Sequence, residues 1–124
     1  MILSLVSRRD RCDGRSGGGI AVLALVAVAE QVILLDQQSD HERLWHTLLT
    51  DIGPILCCVW YRPPCPGEVL SISNCEDEWR KLVDAHVATV LIGDLNVQDI
   101  RWLRRITATS SEGAALYRVG SCHC

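Results

Sequence analysis

Val87-Ala-Thr-Val-Leu-Ile-Gly-Asp-Leu-Asn-Val97 is an apolar run that stops abruptly in Gly93-Asp94-Leu95-Asn96. The near-continuous apolar, β-branched stretch from Val87 to Ile92 predicts a strand buried on both faces. An Asp or Asn at the end of such a strand is costly to desolvate unless it is paired or bound to a ligand. Gly93 carries no side chain just before the turn, so backbone or ligand can approach closely there. Asp94 and Asn96 are two residues apart, and in extended chain their side chains leave the same face. A carboxylate beside a neutral amide suits a hard cation and a phosphate. An Asx turn that merely ends a strand fits the same residues equally well.

Two earlier runs give this stretch its company. Ile55-Leu-Cys-Cys-Val-Trp-Tyr-Arg-Pro-Pro64 reads as a second apolar strand, closed by Tyr61-Arg62-Pro63-Pro64 because neither proline can donate an N–H to a ladder. Arg15-Ser-Gly-Gly-Gly-Ile-Ala-Val22 is a basic glycine run that opens a third strand. The order of these pieces, Arg-Gly-Gly-Gly strand, then Tyr-Arg-Pro-Pro, then Gly-Asp-Leu-Asn, resembles the endonuclease/exonuclease/phosphatase superfamily. Within it, the chain looks most like the apurinic-type endonuclease domain of non-LTR retrotransposons. Asp99-Ile-Arg-Trp-Leu103 and Glu42-Arg-Leu-Trp45 are similar to that group as well. The likeness spans roughly residues 8 to 124, and the ordered set is more specific than Gly-Asp-x-Asn alone.

The resemblance implies a Mg²⁺-dependent phosphodiesterase that cuts DNA. In that reading Asn96 positions the scissile phosphate, Asp94 orients or deprotonates the attacking water, and Tyr61 hydrogen-bonds a phosphate oxygen. Arg62, Arg104 and Arg105 are the expected phosphate contacts. The family's metal-binding glutamate precedes its glycine-rich strand, and neither Glu30 nor Glu42 matches it. Its Ser-Asp-His signature follows Gly-Asp-x-Asn, whereas Ser39-Asp40-His41 precedes it here and reads as a polar loop. The expectation is therefore a single, incomplete domain over residues 1–124, with N-terminal and C-terminal portions missing and catalysis impaired. The alternative is a non-catalytic pseudo-nuclease fragment that binds nucleic acid weakly or not at all. A phosphoesterase acting on lipid or small phosphates shares the motif, but Asp99–Leu103 favours the retroelement branch.

Composition agrees with one small α/β piece. The 124 residues leave room for a single core. Net charge is −3, from 12 basic and 15 acidic side chains, so no overall basic field announces nucleic acid. The charge is uneven: Arg8, Arg9, Arg11 and Arg15 cluster early and read as a solvated surface run, while Arg101, Arg104 and Arg105 follow the Gly-Asp-Leu-Asn turn and read as phosphate contacts. Seven cysteines, an odd number without paired Cys-x-x-Cys spacing, read as free thiols in a reducing compartment, with no disulfide-linked partner. Cys122-His123-Cys124 is spaced too tightly for the usual structural zinc site. The apolar run from Gly19 to Ala29 is 11 residues long, short of the roughly 20 that cross a bilayer, so no membrane association is expected and the setting is intracellular or nuclear.

The periodicities predict two β-hairpins, a helix, a strand and a final helix. Met1–Val6 reads as a strand, and Gly19–Val28 pairs with Gln31–Leu35. Glu42–Thr50 pairs with Ile55–Tyr61 across Asp51-Ile-Gly-Pro54. Ser73-Asn74 or Cys75 caps a helix running to about His86, with Glu76, Asp77 and Glu78 in its first turn and Trp79, Leu82 and Val83 as its buried stripe. Ser111-Glu112-Gly113 opens the last helix. The fold class these elements imply is α/β (α+β), a partial two-sheet β-sandwich flanked by helices.

Overall fold

A computed structural model of the chain describes residues 2–11, 17–35, 41–97 and 109–122. It is a mixed α/β structure with two small sheets and few helices. Strands β1 (Leu3–Arg9) and β2 (Ile20–Leu25) form an antiparallel pair. The second sheet has the order β3-β4-β5-β6, built from Val32–Leu34, Arg43–Thr50, Gly53–Tyr61 and Ala88–Asp94. Helix α1 covers Leu70–Leu82 and α2 covers Ser111–Cys122. The chain gathers into two compact units, Met1–Arg62 with Lys81–Asp94, and Pro63–Arg80 with Leu95–Cys124.

The first unit is organised by the β4–β5 hairpin. Its turn is Asp51-Ile52, two residues rather than four, because Gly53 at φ +124° takes a backbone that other residues avoid and lets pairing start at Thr50↔Gly53. Arg43 to Thr47 on β4 and Leu56 to Cys58 on β5 are buried without a break, so these two strands carry the burial on both faces. Residues opposed in the ladder share a face. One face therefore shows Arg43 with Trp60 and Trp45 with Cys58; the other shows Leu44 with Val59 and His46 with Cys57. The Arg43 guanidinium lies 4.6 Å from the Trp60 ring centroid, a cation–π contact that offsets part of the cost of burying a charge.

The predicted strand at Val87–Ile92 forms, but its predicted burial on both faces does not. All seven residues of β6 are exposed, with Val90 at 42 % and Ile92 at 52 %. The reason is its place in the sheet: β6 is last in the order, and among the described residues no strand lies beyond it. An apolar run specifies a preference for burial; sheet order decides which run receives it. A second correction concerns β2 and β3, read as one hairpin. They belong to different sheets, separated by a 3-10 helical segment over Val26–Gln31, because no tight-turn residues fold one back on the other. The Met1–Val6 reading is borne out as β1, and the β4–β5 pairing is borne out as well.

In the second unit, α1 begins earlier than predicted. Glu68 accepts hydrogen bonds from Ser71 N–H and Ser71 Oγ–H, both at 2.7 Å, and so takes over the capping role expected of Ser73 to Cys75. Glu76, Asp77 and Glu78 therefore fall inside the helix rather than in its first turn, and Glu76 pairs with Arg80 one turn on. The buried stripe starts at Ile72 and Cys75 and fades through half-buried Trp79 and Leu82. At α2, Ser110 Oγ accepts the Gly113 N–H, and the buried Glu112 carboxylate accepts the Gly67 N–H. Hydrogen bonds to the carboxylate, first from its own backbone N–H and then from the Gly67 N–H, hold the Glu112 carboxyl below its ordinary range despite burial.

The β5–β6 ladder is parallel and leaves no room at Gly93. A Cβ there would lie 1.8 Å from the Trp60 carbonyl oxygen, and φ is +148°. Gly93→Ala should lower unfolding stability by about 3 kcal/mol, because backbone cannot yield as a side chain can. Gly120→Ala in α2, where a Cβ meets nothing within 4 Å, should stay within about 1 kcal/mol of the parent. Urea unfolding of the two variants, followed by tryptophan fluorescence and circular dichroism, checks the contrast.

Candidate functional site

β5 ends at Tyr61 because Pro63 and Pro64 follow, and β6 ends at Asp94 because the chain leaves extended backbone there. The two strands run parallel, so both ends lie on one edge of the sheet, and Tyr61 and Asp94 are direct register partners. The Arg62 N–H donates to the Asp94 carbonyl oxygen at 2.9 Å, which ties the two exits together. Across the other side of β5, the Tyr61 N–H donates to the Glu42 carbonyl oxygen, also at 2.9 Å. Glu42, just before β4, and Asp94 at the end of β6 thus lie on either side of Tyr61 in one backbone row. Glu42 is the neighbour that sequence reading missed. The signal existed: counting outward from a two-residue turn at Asp51-Ile52 brings Glu42 opposite Tyr61, whereas a four-residue turn does not.

The reading of a solvated run holds for Arg8, paired with Asp10 on the surface, but not for Arg11. Arg11 instead donates from Nε to Glu42 Oε1 at 2.8 Å, with side-chain exposures of 24 % and 12 % for the pair. Its guanidinium carbon lies 5.6 Å from the Tyr61 ring centroid. The second Glu42 oxygen accepts the Gly19 N–H at 3.3 Å. The glycine run, the end of β4 and the end of β5 are thereby joined at one place.

Other expected site residues fall differently. Arg62 is 2 % exposed, so its guanidinium is held inside the protein and is not presented to a phosphate; the residue after Tyr61 turns inward where Tyr61 stays half-buried. Asn96 is exposed and has φ +49°, a left-handed turn conformation. The extended alternation that would place it on the face of Asp94 stops before it, as in the turn reading that the sequence left open. Asn96 belongs with the second unit of the chain. Arg101, Arg104, Arg105, the Asp99–Leu103 stretch and Ser39-Asp40 lie outside the described residues.

The Mg²⁺ that the resemblance implies finds no complete donor set among the described residues. They contain no group of three or more His, Cys, Asp or Glu side chains arranged for a metal. Glu42, the carboxylate that shares the row with Asp94, has both oxygens engaged by Arg11 and Gly19. Cys57, Cys58 and Cys75, all buried, and Cys65, exposed, form no disulfide among the described residues. Burial pushes the Cys57 thiol up, which keeps it protonated and unreactive. No described helix is long and apolar enough to cross a membrane.

A second pair has the look of a nucleophile and base. Ser7 Oγ and His46 Nε2 are 2.6 Å apart, joining β1 to β4. Both residues are buried, at 6 % and 1 % exposure, so no substrate reaches them and the pair serves packing. On the opposite face, His86 Nδ1–H donates to the Leu82 carbonyl at 2.7 Å, which leaves Nε2 to accept the Thr47 hydroxyl at 2.8 Å.

No protein family, no characterised protein and no solved structure matches this chain.

Burial lowers the His46 pKa from its ordinary 6.5, so the folded state resists a proton that the unfolded chain accepts. Stability is then complete above about pH 6.5 and falls as pH drops below it, by at most about 1.4 kcal/mol per pH unit. Urea unfolding at pH 7.5 and 5.5 should show that loss, in a range above the carboxylate titrations. His46→Gln should flatten the dependence over the same interval; an unchanged slope would reject His46 as its source.

Proposed function

We propose that this chain is a DNA-cutting phosphodiesterase of the endonuclease/exonuclease/phosphatase type, of the branch carried by non-LTR retrotransposons. The observation that supports it most is the pairing of Tyr61 and Asp94 at the ends of neighbouring parallel strands. Open α/β sheets bind ligands outside the carboxyl ends of their parallel strands, and Tyr61 and Asp94 stand at the carboxyl ends of the parallel pair β5–β6. Two groups that act on one phosphate must also be held in fixed relation, which adjoining ladder positions provide.

In this reading Asp94 takes a proton from water as the water oxygen forms its bond to phosphorus. The bridging P–O bond breaks, and the departing alkoxide takes a proton from solvent. The Tyr61 phenol donates a hydrogen bond to a non-bridging oxygen, where negative charge grows in the transition state. The phosphate-positioning role of Asn96 and the backbone contacts of Arg104 and Arg105 rest on the resemblance alone and are not part of the Tyr61–Asp94 pair. Arg62 does not share that role because it is buried. A metal ion of the Mg²⁺ type would neutralise phosphate charge in this family, but the described donors do not fit one.

The lack of a metal-holding group among the described residues favours a second reading, a non-catalytic pseudo-nuclease that binds nucleic acid weakly or not at all. Nicking of supercoiled plasmid with added Mg²⁺ separates the two. Asp94→Ala should slow nicking at least about 100-fold, the usual scale for loss of a general base. Equal nicking by parent and variant would reject the catalytic assignment. Binding to duplex DNA that weakens steeply between low and moderate salt would then favour the binding reading.

A further inference from the structure

We infer that Arg11 and Glu42 are positioning residues for Tyr61. The activity arm of this inference rests on the phosphodiesterase reading; its structural arm does not. Tyr61 is gripped twice. Its backbone N–H is held by the Glu42 carbonyl oxygen at 2.9 Å, and its ring is covered by the Arg11 guanidinium at 5.6 Å from the centroid. Arg11 is in turn anchored by the Glu42 carboxylate at 2.8 Å, and that carboxylate is anchored by the Gly19 N–H at 3.3 Å. One residue, Glu42, therefore sets both the backbone and, through Arg11, the ring of Tyr61.

The glycine run is part of the device. A Cβ on Gly18 would lie 2.5 Å from Arg11 Cζ, so the guanidinium occupies space that any other residue at position 18 would claim. The run opens strand β2 as the sequence suggests, and Gly18 in addition permits the close approach of Arg11.

The arrangement also matters for charge. Glu42 and Asp94 flank Tyr61 in one row, and two uncompensated carboxylates there would repel an anionic phosphodiester. Arg11 neutralises the first at ion-pair distance. The favoured substrate class for such a row is an anion approached by a hydroxyl donor, in keeping with the proposed reaction.

The experiment combines nuclear magnetic resonance with nicking. In protein labelled at tyrosine ring carbons, with the Tyr61 signal assigned from Tyr61→Phe, Arg11→Ala and Glu42→Gln should shift the same Tyr61 resonance. Arg11→Lys, which keeps a cation over the ring, should shift it less, and it also serves if Arg11→Ala fails to fold. Arg8→Ala, a surface change, should leave the resonance in place. A Tyr61 signal unmoved by Arg11→Ala and Arg11→Lys overturns the inference. In the nicking assay Arg11→Ala should lower kcat about tenfold, on the scale of a misplaced but intact catalytic group. On a Tyr61→Phe background the same change should cost less than about twofold, since a residue that acts through the phenol has nothing left to position. A full tenfold loss on that background overturns the inference. If the parent and Asp94→Ala nick alike, the phosphodiesterase reading falls, and the tyrosine signal alone decides whether Arg11 positions the ring.

Discussion

The antiparallel ladder between β4 and β5 is the constraint on which the first unit rests. Its two-residue turn at Asp51-Ile52 sets a register of eight paired positions from Thr50↔Gly53 to Arg43↔Trp60. Because side chains alternate, that register decides the face of every residue at once, and a slip by one would exchange the two faces. With the observed register, Trp45, Cys58 and Trp60 occupy one side and Leu44, Val59 and His46 the other. The same count carries Glu42 opposite Tyr61, beyond the last strand pair. A turn therefore determines the chemistry at the opposite end of its hairpin.

Polar groups inside this unit are arranged in pairs that match the ladder. His46 meets Ser7 on one face and Thr47 meets His86 on the other, so each face of β4 carries one histidine contact, the first buried and the second half-buried. Burial keeps His46 neutral, and Arg43 survives its own burial with help from the Trp60 ring. Such contacts are specific in a way that apolar packing is not: a histidine displaced by one position would lose its hydroxyl partner and keep its desolvation cost. They complement the ladder by penalising alternative registers. The Arg11–Glu42 pair works similarly at the site, where it holds the glycine run against the end of β5.

The contrast between β5 and β6 separates composition from position. Both runs are apolar and both form strands, and they pair in parallel over seven positions. Leu56 and Cys58 are fully buried, while Val90 and Ile92 are exposed. Nothing in the residue types distinguishes them. The difference comes from sheet order, which places β5 between two partners and β6 at the margin. Gly93 is the one position in β6 where the sequence carries tertiary information directly, since the Trp60 carbonyl excludes any side chain there.

By itself the sequence determined the local elements: the β1 and β6 strands, the β4–β5 pairing, α2, and the ends of β5 and β6 at Tyr61 and Asp94. Each follows from a short-range cause, whether alternation, a proline pair or a helix cap, and local causes can be read in order along a chain. It misplaced the start of α1 because a cap can come from Glu68 as well as from Ser73 or Asn74, and it joined β2 to β3 because adjacency in sequence suggests pairing. Only the tertiary structure decided that β6 is marginal, that Arg62 is interior and that Arg11 leaves the surface for Glu42 and the Tyr61 ring. Those outcomes depend on which strands become neighbours. Residues 11, 42 and 61 meet through a hairpin register and a contact between two sheets, and no window of sequence contains all three.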